Sequence, residues 1–304
     1  MKAISHHIKA QLDQAAREQH ERDQLAEEVQ MRLAPALGKH TLYRYRGLRS
    51  QESKDRVEDI LRRNRLYCAH PGEFNDPFDC AAGIDLAGNP EDPEFFRQMM
   101  VKQERLLQQR PAEEQELIRE ATPVPIAELA ARLAPIIREH INSAIRILCL
   151  SGDSMHPLCW SHYSGEHTGI CLHFSTSPSS IFQQARKIIY QKERRALSLD
   201  GRDLTERADE VFETLVLTKA SFWDYEDEYR IILSDIDWPL LLDADSCVSF
   251  PPAALTGMTL GMRISDADRH WVVGLVAETH PGLPIWQARM HPDRFWMESD
   301  RIAQ

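Results

Sequence analysis

No two of the six cysteines, Cys68, Cys80, Cys149, Cys159, Cys171 and Cys247, stand at a CxxC spacing. That argues against a zinc ribbon, and a chain of this length needs no disulfides for stability. Long apolar runs are missing too: no stretch approaches the roughly 20 residues of a membrane-spanning helix. The opening "MKAISHHIKAQLDQAAREQ" lacks the apolar core of a signal peptide. A cytoplasmic protein with reduced, mostly buried thiols is expected, without a membrane partner. Positive charge is in deficit, with 36 Lys and Arg against 47 Asp and Glu, a net −11. That balance argues against wholesale non-specific binding to nucleic acid or anionic membranes, and leaves room for a local basic patch. Basic residues cluster in "ARKIIYQKERR", which reads as a solvated edge. Internal repeats and low-complexity linkers are also absent. What remains is 304 residues of ordinary globular composition, enough for one large core or two modest ones.

Residues 1–38 are rich in Gln, Glu, Ala and Arg, with sparse apolar positions such as Ile4, Ile8, Leu12, Leu25, Val29 and Leu33. This reads as a polar helix with a thin apolar stripe, packed on the domain, on a partner or on a second copy. From residue 39 to 304 a single α+β domain is expected. "LYRYRG" alternates Tyr43 and Tyr45 with Arg44 and Arg46, as a strand does. "SQESKDRVEDILRRNRL" has helical spacing at Val57, Ile60 and Leu61, with Ser50 or Ser53 as the cap. "LYCAH", "IRILCLSG", Gly169–Phe174, "ARKIIYQ", "MTLGMR" and "LPIWQARM" read as strands. Helices are expected at 203–220 and 265–277, and a helical insertion at about 91–145. These elements make a mixed, largely antiparallel sheet with helices inserted between strands.

Four segments mix aromatic rings with charged or hydrogen-bonding groups: "LYRYRG", "EFNDPFD", "CWSHYSGEHTG" and "WDYEDEYR". Such a mixture suits a flat, phosphorylated ligand, since rings stack, arginines hold phosphate and carboxylates hold hydroxyls. In "SFWDYEDEYRIIL" the period of two puts Tyr225, Tyr229, Ile231 and Leu233 on one strand face and Glu226, Glu228 and Arg230 on the other. Next-but-one residues on a strand are roughly 6.5–7 Å apart, so the two carboxylates need a neutraliser, and Arg230 is at hand. The plain alternative is a solvated strand face. Plain alternatives stand beside the other candidates as well. Arg44 could pair with Glu226 or Glu228. "FNDPFD" could be a turn with Phe74 and Phe78 buried. Trp160, Tyr163 and His167 could be packing residues. Lys219 could serve a helix dipole.

In this order the four segments resemble a bacterial domain-of-unknown-function family, number 2971. That family has a tyrosine–arginine strand, an FNDPFD-like loop, a W-x-x-Y segment with a nearby histidine and glycine, and a W-x-x-E-x-E-Y-R strand. The resemblance covers about residues 41–304 and implies no settled activity.

A mechanistic resemblance is to ADP-ribosyltransferases. The strand–helix–strand cadence of "LYRYRGLRSQESKDRVEDILRRNRLYC" is similar to their opening, and Glu226-Asp227-Glu228 is similar to their later E-x-E. That resemblance implies an enzyme cleaving NAD at the nicotinamide–ribose bond, with Glu228 and Glu226 catalytic and NAD as the substrate. Glu228 would hydrogen-bond the nicotinamide ribose, and Glu226 would orient the acceptor, an unidentified protein or nucleic acid. Arg44, Arg46, Asn75, Asp76, Trp160, Tyr163 and His167 are the candidate NAD-binding residues. By analogy the role would be that of a toxin or an antiviral-defence effector. "STS" at Ser175–Ser177 matches a transferase motif in letters but follows a later strand than that motif does. The alternatives are a metal-dependent nuclease or phosphodiesterase using Asp76, Asp79, Glu226, Glu228 and His167, or a non-catalytic nucleotide- or RNA-binding module. No metal site is expected on the transferase reading.

Overall fold

The computed structural model describes residues 39–85, 126–177, 180–198, 208–234 and 241–302. The expected N-terminal helix and residues 91–125 of the expected insertion lie outside them. The chain divides into two compact units: Met1–His70 with Ile145–Ile188 and Asp224–Gln304, and Pro71–Ala144 with Ile189–Trp223. The fold is α+β, built on a large mixed sheet, mostly antiparallel, with several helices.

In the first unit the strands are β1 (Thr41–Arg46), β2 (Arg65–Tyr67), β4 (Ile145–Ser151), β5 (Ile170–Ser175) and β6 (Arg186–Lys187), followed by β10 (Glu228–Ser234), β11 (Cys247–Ser249), β12 (Leu255–Leu260), β13 (Ile285–Met290) and β14 (Met297–Arg301). Eight of them form one sheet in the order β14-β13-β12-β5-β1-β4-β10-β6, while β2 pairs with β11. Neighbours run antiparallel except β12 and β13, which are parallel.

One face of this sheet carries the main core. Leu42, Leu148, Leu172, Phe174, Ile231 and Met258 pack there with Val57, Ile60 and Leu61 of helix α1 (Gln51–Arg63). Helix α1 forms where expected because its ends are capped. Ser50 Oγ accepts from Ser53 N, and Asn64 turns left-handed to return its N–H to Ile60 O. The opposite face carries a smaller cluster: Tyr45, Cys159, Trp160, Cys171, Ala288 and Met297, with helix α3 (Pro157–Tyr163) supplying Cys159 and Trp160. Helix α5 (Asp266–Thr279) is capped by Ser265 and buries Val272, Leu275 and Val276 in the main core.

The second unit holds β3 (Gly83–Asp85) parallel to β8 (Ala196–Ser198), and β7 (Ile189–Gln191) parallel to β9 (Thr218–Ala220). Its helices are α2 (Ile126–Ala144) and α4 (Ala208–Val216). The expected single strand through "ARKIIYQ" is divided: Arg186–Lys187 pairs with β10, and Ile189–Gln191 pairs with β9. No helix among the described residues is long and apolar enough to cross a membrane.

Candidate functional site

The continuous strand expected through "YEDEYRIIL" is interrupted. Ser221–Glu226 is a 3-10 helix, Asp227 is left-handed with φ 41°, and β10 begins at Glu228. An aspartate tolerates that conformation better than most residues, and here contacts hold it. Lys39 Nζ lies 3.2 Å from Asp227 Oδ2 and Lys187 Nζ 2.8 Å from Oδ1. Gly152 N donates to Asp227 O at 2.8 Å, and Lys39 Nζ donates to Gly152 O at 3.1 Å. A Cβ on Gly152 would stand 2.1 Å from Asp227 Oδ2, so only glycine admits the carboxylate. Burial by itself would raise the Asp227 pKa; hydrogen bonds from Lys187 and Lys39 outweigh it and hold the carboxyl below its ordinary value.

This corner brings both glutamates to the α3 side of the sheet. Glu228 is paired with Ser151 across the ladder, and Arg230 with Cys149. The solvated-face alternative is overturned, because Glu226, Glu228 and Arg230 are 5%, 4% and 0% exposed. A buried charge needs a partner, since leaving one uncompensated costs several kcal/mol. Arg230 answers for Glu228 with two bonds, Nε to Oε1 at 2.7 Å and Nη2 to Oε2 at 3.2 Å. Burial first, then the Glu228 charge, push the Cys149 thiol well above its ordinary pKa, so it stays protonated and donates to Glu228. Glu226 has a different partner. Tyr163 donates its hydroxyl to Oε1 in a short bond, and Ser151 Oγ donates to the Glu226 carbonyl at 2.7 Å.

The β1 side of the site follows from how the sheet is laced. Strand β1 is paired with β5 over six positions but with β4 at one, Tyr43 with Ser151. Further along β4, Ile147 exchanges two backbone bonds with Ala69 instead, at 2.8 and 2.9 Å. Arg44 donates Nη1 to the Cys149 carbonyl, not to either glutamate. Its register partner Leu172, and Ile170 opposite Arg46, belong to the main core, so both arginines spring from the face opposite Glu228. The expected convergence of Arg44 with Glu228 on one face of the sheet is therefore not formed. The Nε atoms of Arg44 and Arg46 are buried without a hydrogen-bond partner. Burial first, then Arg44 and Arg56, hold the Arg46 pKa well below its ordinary value.

The other expected site residues are spread more widely. Trp160 is wholly buried, edge-on to Tyr45 at 5.3 Å, and its Nε1 donates to Ser154 O at 2.8 Å. His167 ends a run of three left-handed residues, Gly165, Glu166 and His167, with φ 63°, 57° and 69°. Its Nδ1 is buried without a hydrogen-bond partner, and burial, then Arg263, lower its pKa. Asn75 and Asp76 belong to the second unit, where Asn75 is exposed and Asp76 Oδ1 accepts from Phe78 N at 2.9 Å.

Three smaller expectations also have outcomes in the structure. Phe78 is 59% exposed, not buried, with Arg194 of its own unit over its ring at 6.0 Å. Lys219 sits in β9, not at a helix end, and is buried 3.6 Å from Asp79. Within Ser175–Ser177, Ser177 N donates to Ser175 Oγ and Thr176 Oγ1 to Lys39 O, which is turn chemistry. Sequence reasoning missed Cys149, Ser151, Gly152, Lys39 and Lys187. Only the "ARKII" basic run hinted at Lys187.

Among the described residues no group of three or more His, Cys, Asp or Glu could hold a metal ion. The arrangement offers two carboxylates, each fixed by its own donor and separated by one left-handed residue. No curated protein and no solved structure matches the chain significantly. Residues 159–231 match the model of a family described as a protein of unknown function (DUF2971), a stretch that runs from α3 to the first half of β10 and contains Trp160, Tyr163, His167, Glu226 and Glu228.

Proposed function

We propose that the protein is an ADP-ribosyltransferase-like enzyme that cleaves NAD at the nicotinamide–ribose bond and passes ADP-ribose to a macromolecular acceptor. The observation that carries this reading is the pair of nearly buried carboxylates, Glu226 held by Tyr163 and Glu228 held by Arg230. When the glycosidic bond breaks, nicotinamide leaves with the bonding electron pair and positive charge develops on the ribose. A fixed carboxylate stabilises that charge without having to reorganise. Glu228, oriented by Arg230, would accept from a ribose hydroxyl of the bound NAD. Glu226 then orients the acceptor nucleophile and takes its proton. Arg44 springs from the opposite face of the sheet and takes no part in this reading.

The test is nicotinamide release from NAD by purified full-length protein, with and without cell lysate as a source of acceptor. Release, with label from NAD appearing on macromolecules, is expected. No release in either condition contradicts the reading.

A further inference from the structure

A chain of rings leads from the surface to Glu226. Trp296 stands edge-on to His156 at 6.2 Å, and His156 stacks on Tyr225 at 5.4 Å. The Tyr225 hydroxyl lies 2.9 Å from His162 Nδ1, the His162 ring is edge-on to Tyr163 at 6.1 Å, and Tyr163 donates to Glu226. The outer end is apolar. In the first unit, the exposed large apolar side chains among the described residues are Leu158, Met290, Phe295 and Trp296, at 45%, 71%, 108% and 44%. Their links run through His156 and the β13–β14 hairpin. Leu158 N donates to His156 Nδ1, and Met290 pairs across the β13–β14 hairpin with Met297, next to Trp296. Exposed apolar patches of this kind mark interaction sites.

We propose that this surface docks a basic, partly apolar segment of an acceptor protein. A cationic side chain of that segment lies over the Tyr225 and His156 rings, towards Glu226, and an apolar neighbour meets Leu158, Phe295 and Trp296. The inference names the acceptor class for the proposed function and rests on that reading for the chemistry that docking serves. Aromatic faces attract cations, and the exposed Asp224 and Asp293 are sequence neighbours of Tyr225 and Trp296, with Glu226 at the inner end and the exposed Arg294 as the opposing charge. Arg289, on the same hairpin, is already engaged by Glu298 and Asp300. The net charge of −11 points the same way and opposes a nucleic-acid partner.

The experiment is a fluorescence-anisotropy titration of full-length protein in the absence of NAD, so that failure of docking and failure of NAD cleavage are read separately. Three labelled probes are used: a short peptide with arginines beside a leucine, its glutamate-for-arginine counterpart, and a single-stranded oligonucleotide. The basic peptide should bind and weaken as salt rises. Trp296→Ala and Phe295→Ala should each loosen it about tenfold, the scale expected for an aromatic anchor. Gln51→Ala, an exposed neutral position on α1 across the sheet, should leave binding unchanged. The proposal is overturned by no binding at about 1 mM, the weak limit of useful affinity. It is equally overturned by equal binding of the acidic peptide, by tighter binding of the oligonucleotide, or by indifference to Trp296→Ala.

Discussion

A single methyl group at Gly152 tests whether the corner between the two glutamates is built as described. In Gly152→Ala the new Cβ would lie 2.1 Å from Asp227 Oδ2, 2.9 Å from its Cγ and 3.0 Å from Tyr229 Cε2. Non-bonded carbon atoms prefer about 3.5–4.0 Å, so the carboxylate must swing away. It then loses Lys39 and Lys187, whose side chains are 38% and 56% exposed. Exposed pairs contribute about 0–1 kcal/mol each, whereas overpacking costs about 1–3 kcal/mol. Overpacking therefore dominates, and a loss of about 1–3 kcal/mol is expected. Urea denaturation should show a lower midpoint at an unchanged slope, because the surface exposed on unfolding is the same. The Asp227→Gly background isolates the cause, since it removes the carboxylate and the left-handed strain together. There, Gly152→Ala should cost less than half as much, a coupling that a double-mutant cycle reads directly. Equal cost in both backgrounds would refute the clash with Asp227.

Two further outcomes arise from buried charge. Arg230→Met should destabilise the protein by about 3–5 kcal/mol, because Glu228 is left buried without its counter-charge; double replacement with Glu228→Leu should recover most of that in the same melt. His173 is packed between Trp286 and Tyr43, and burial lowers its pKa from 6.5 to about 4. The unfolded chain therefore takes up a proton that the folded one refuses, so stability should fall as pH drops from 6.5 towards about 4. His173→Phe should flatten that part of the pH–stability curve, and a His173 NMR titration near 6.5 would contradict the assignment.

Much of the fold was legible because short-range rules decided it. Helix α1 announces itself through Ser50, its apolar spacing and Asn64, and the alternation in "LYRYRG" gives β1 its two faces. The corner at Asp227 was not legible. A period of two through "YEDEYRIIL" puts Asp227 on the apolar face, an irregularity that marks the place but does not fix φ 41°. The cause lies far away in sequence, at a glycine that leaves room and at two lysines, one just before β1 and one in β6. The two glutamates nevertheless share a side of the sheet, by way of a turn and not a strand period. The faces of Arg44 and Glu228 could not be related from sequence either, because β4 leaves β1 after one pair and no composition reports such a parting. Trp160 and Tyr163 look alike as aromatic residues in "CWSHY". Only the packing shows that one fills the layer beneath Tyr45 while the other reaches a carboxylate.

If a fixed Glu228 carboxylate stabilises charge on the ribose of NAD, removing its charge must slow cleavage. The measurement is nicotinamide release from wild type and Glu228→Gln side by side, with a melting curve for each to establish that both are folded. Glutamine keeps the size and an acceptor for Arg230 but removes the charge. The wild type should release nicotinamide, and the folded variant should do so about a hundred- to a thousandfold more slowly. Release that survives Glu228→Gln unchanged, or a wild type that releases none with or without lysate, would contradict it.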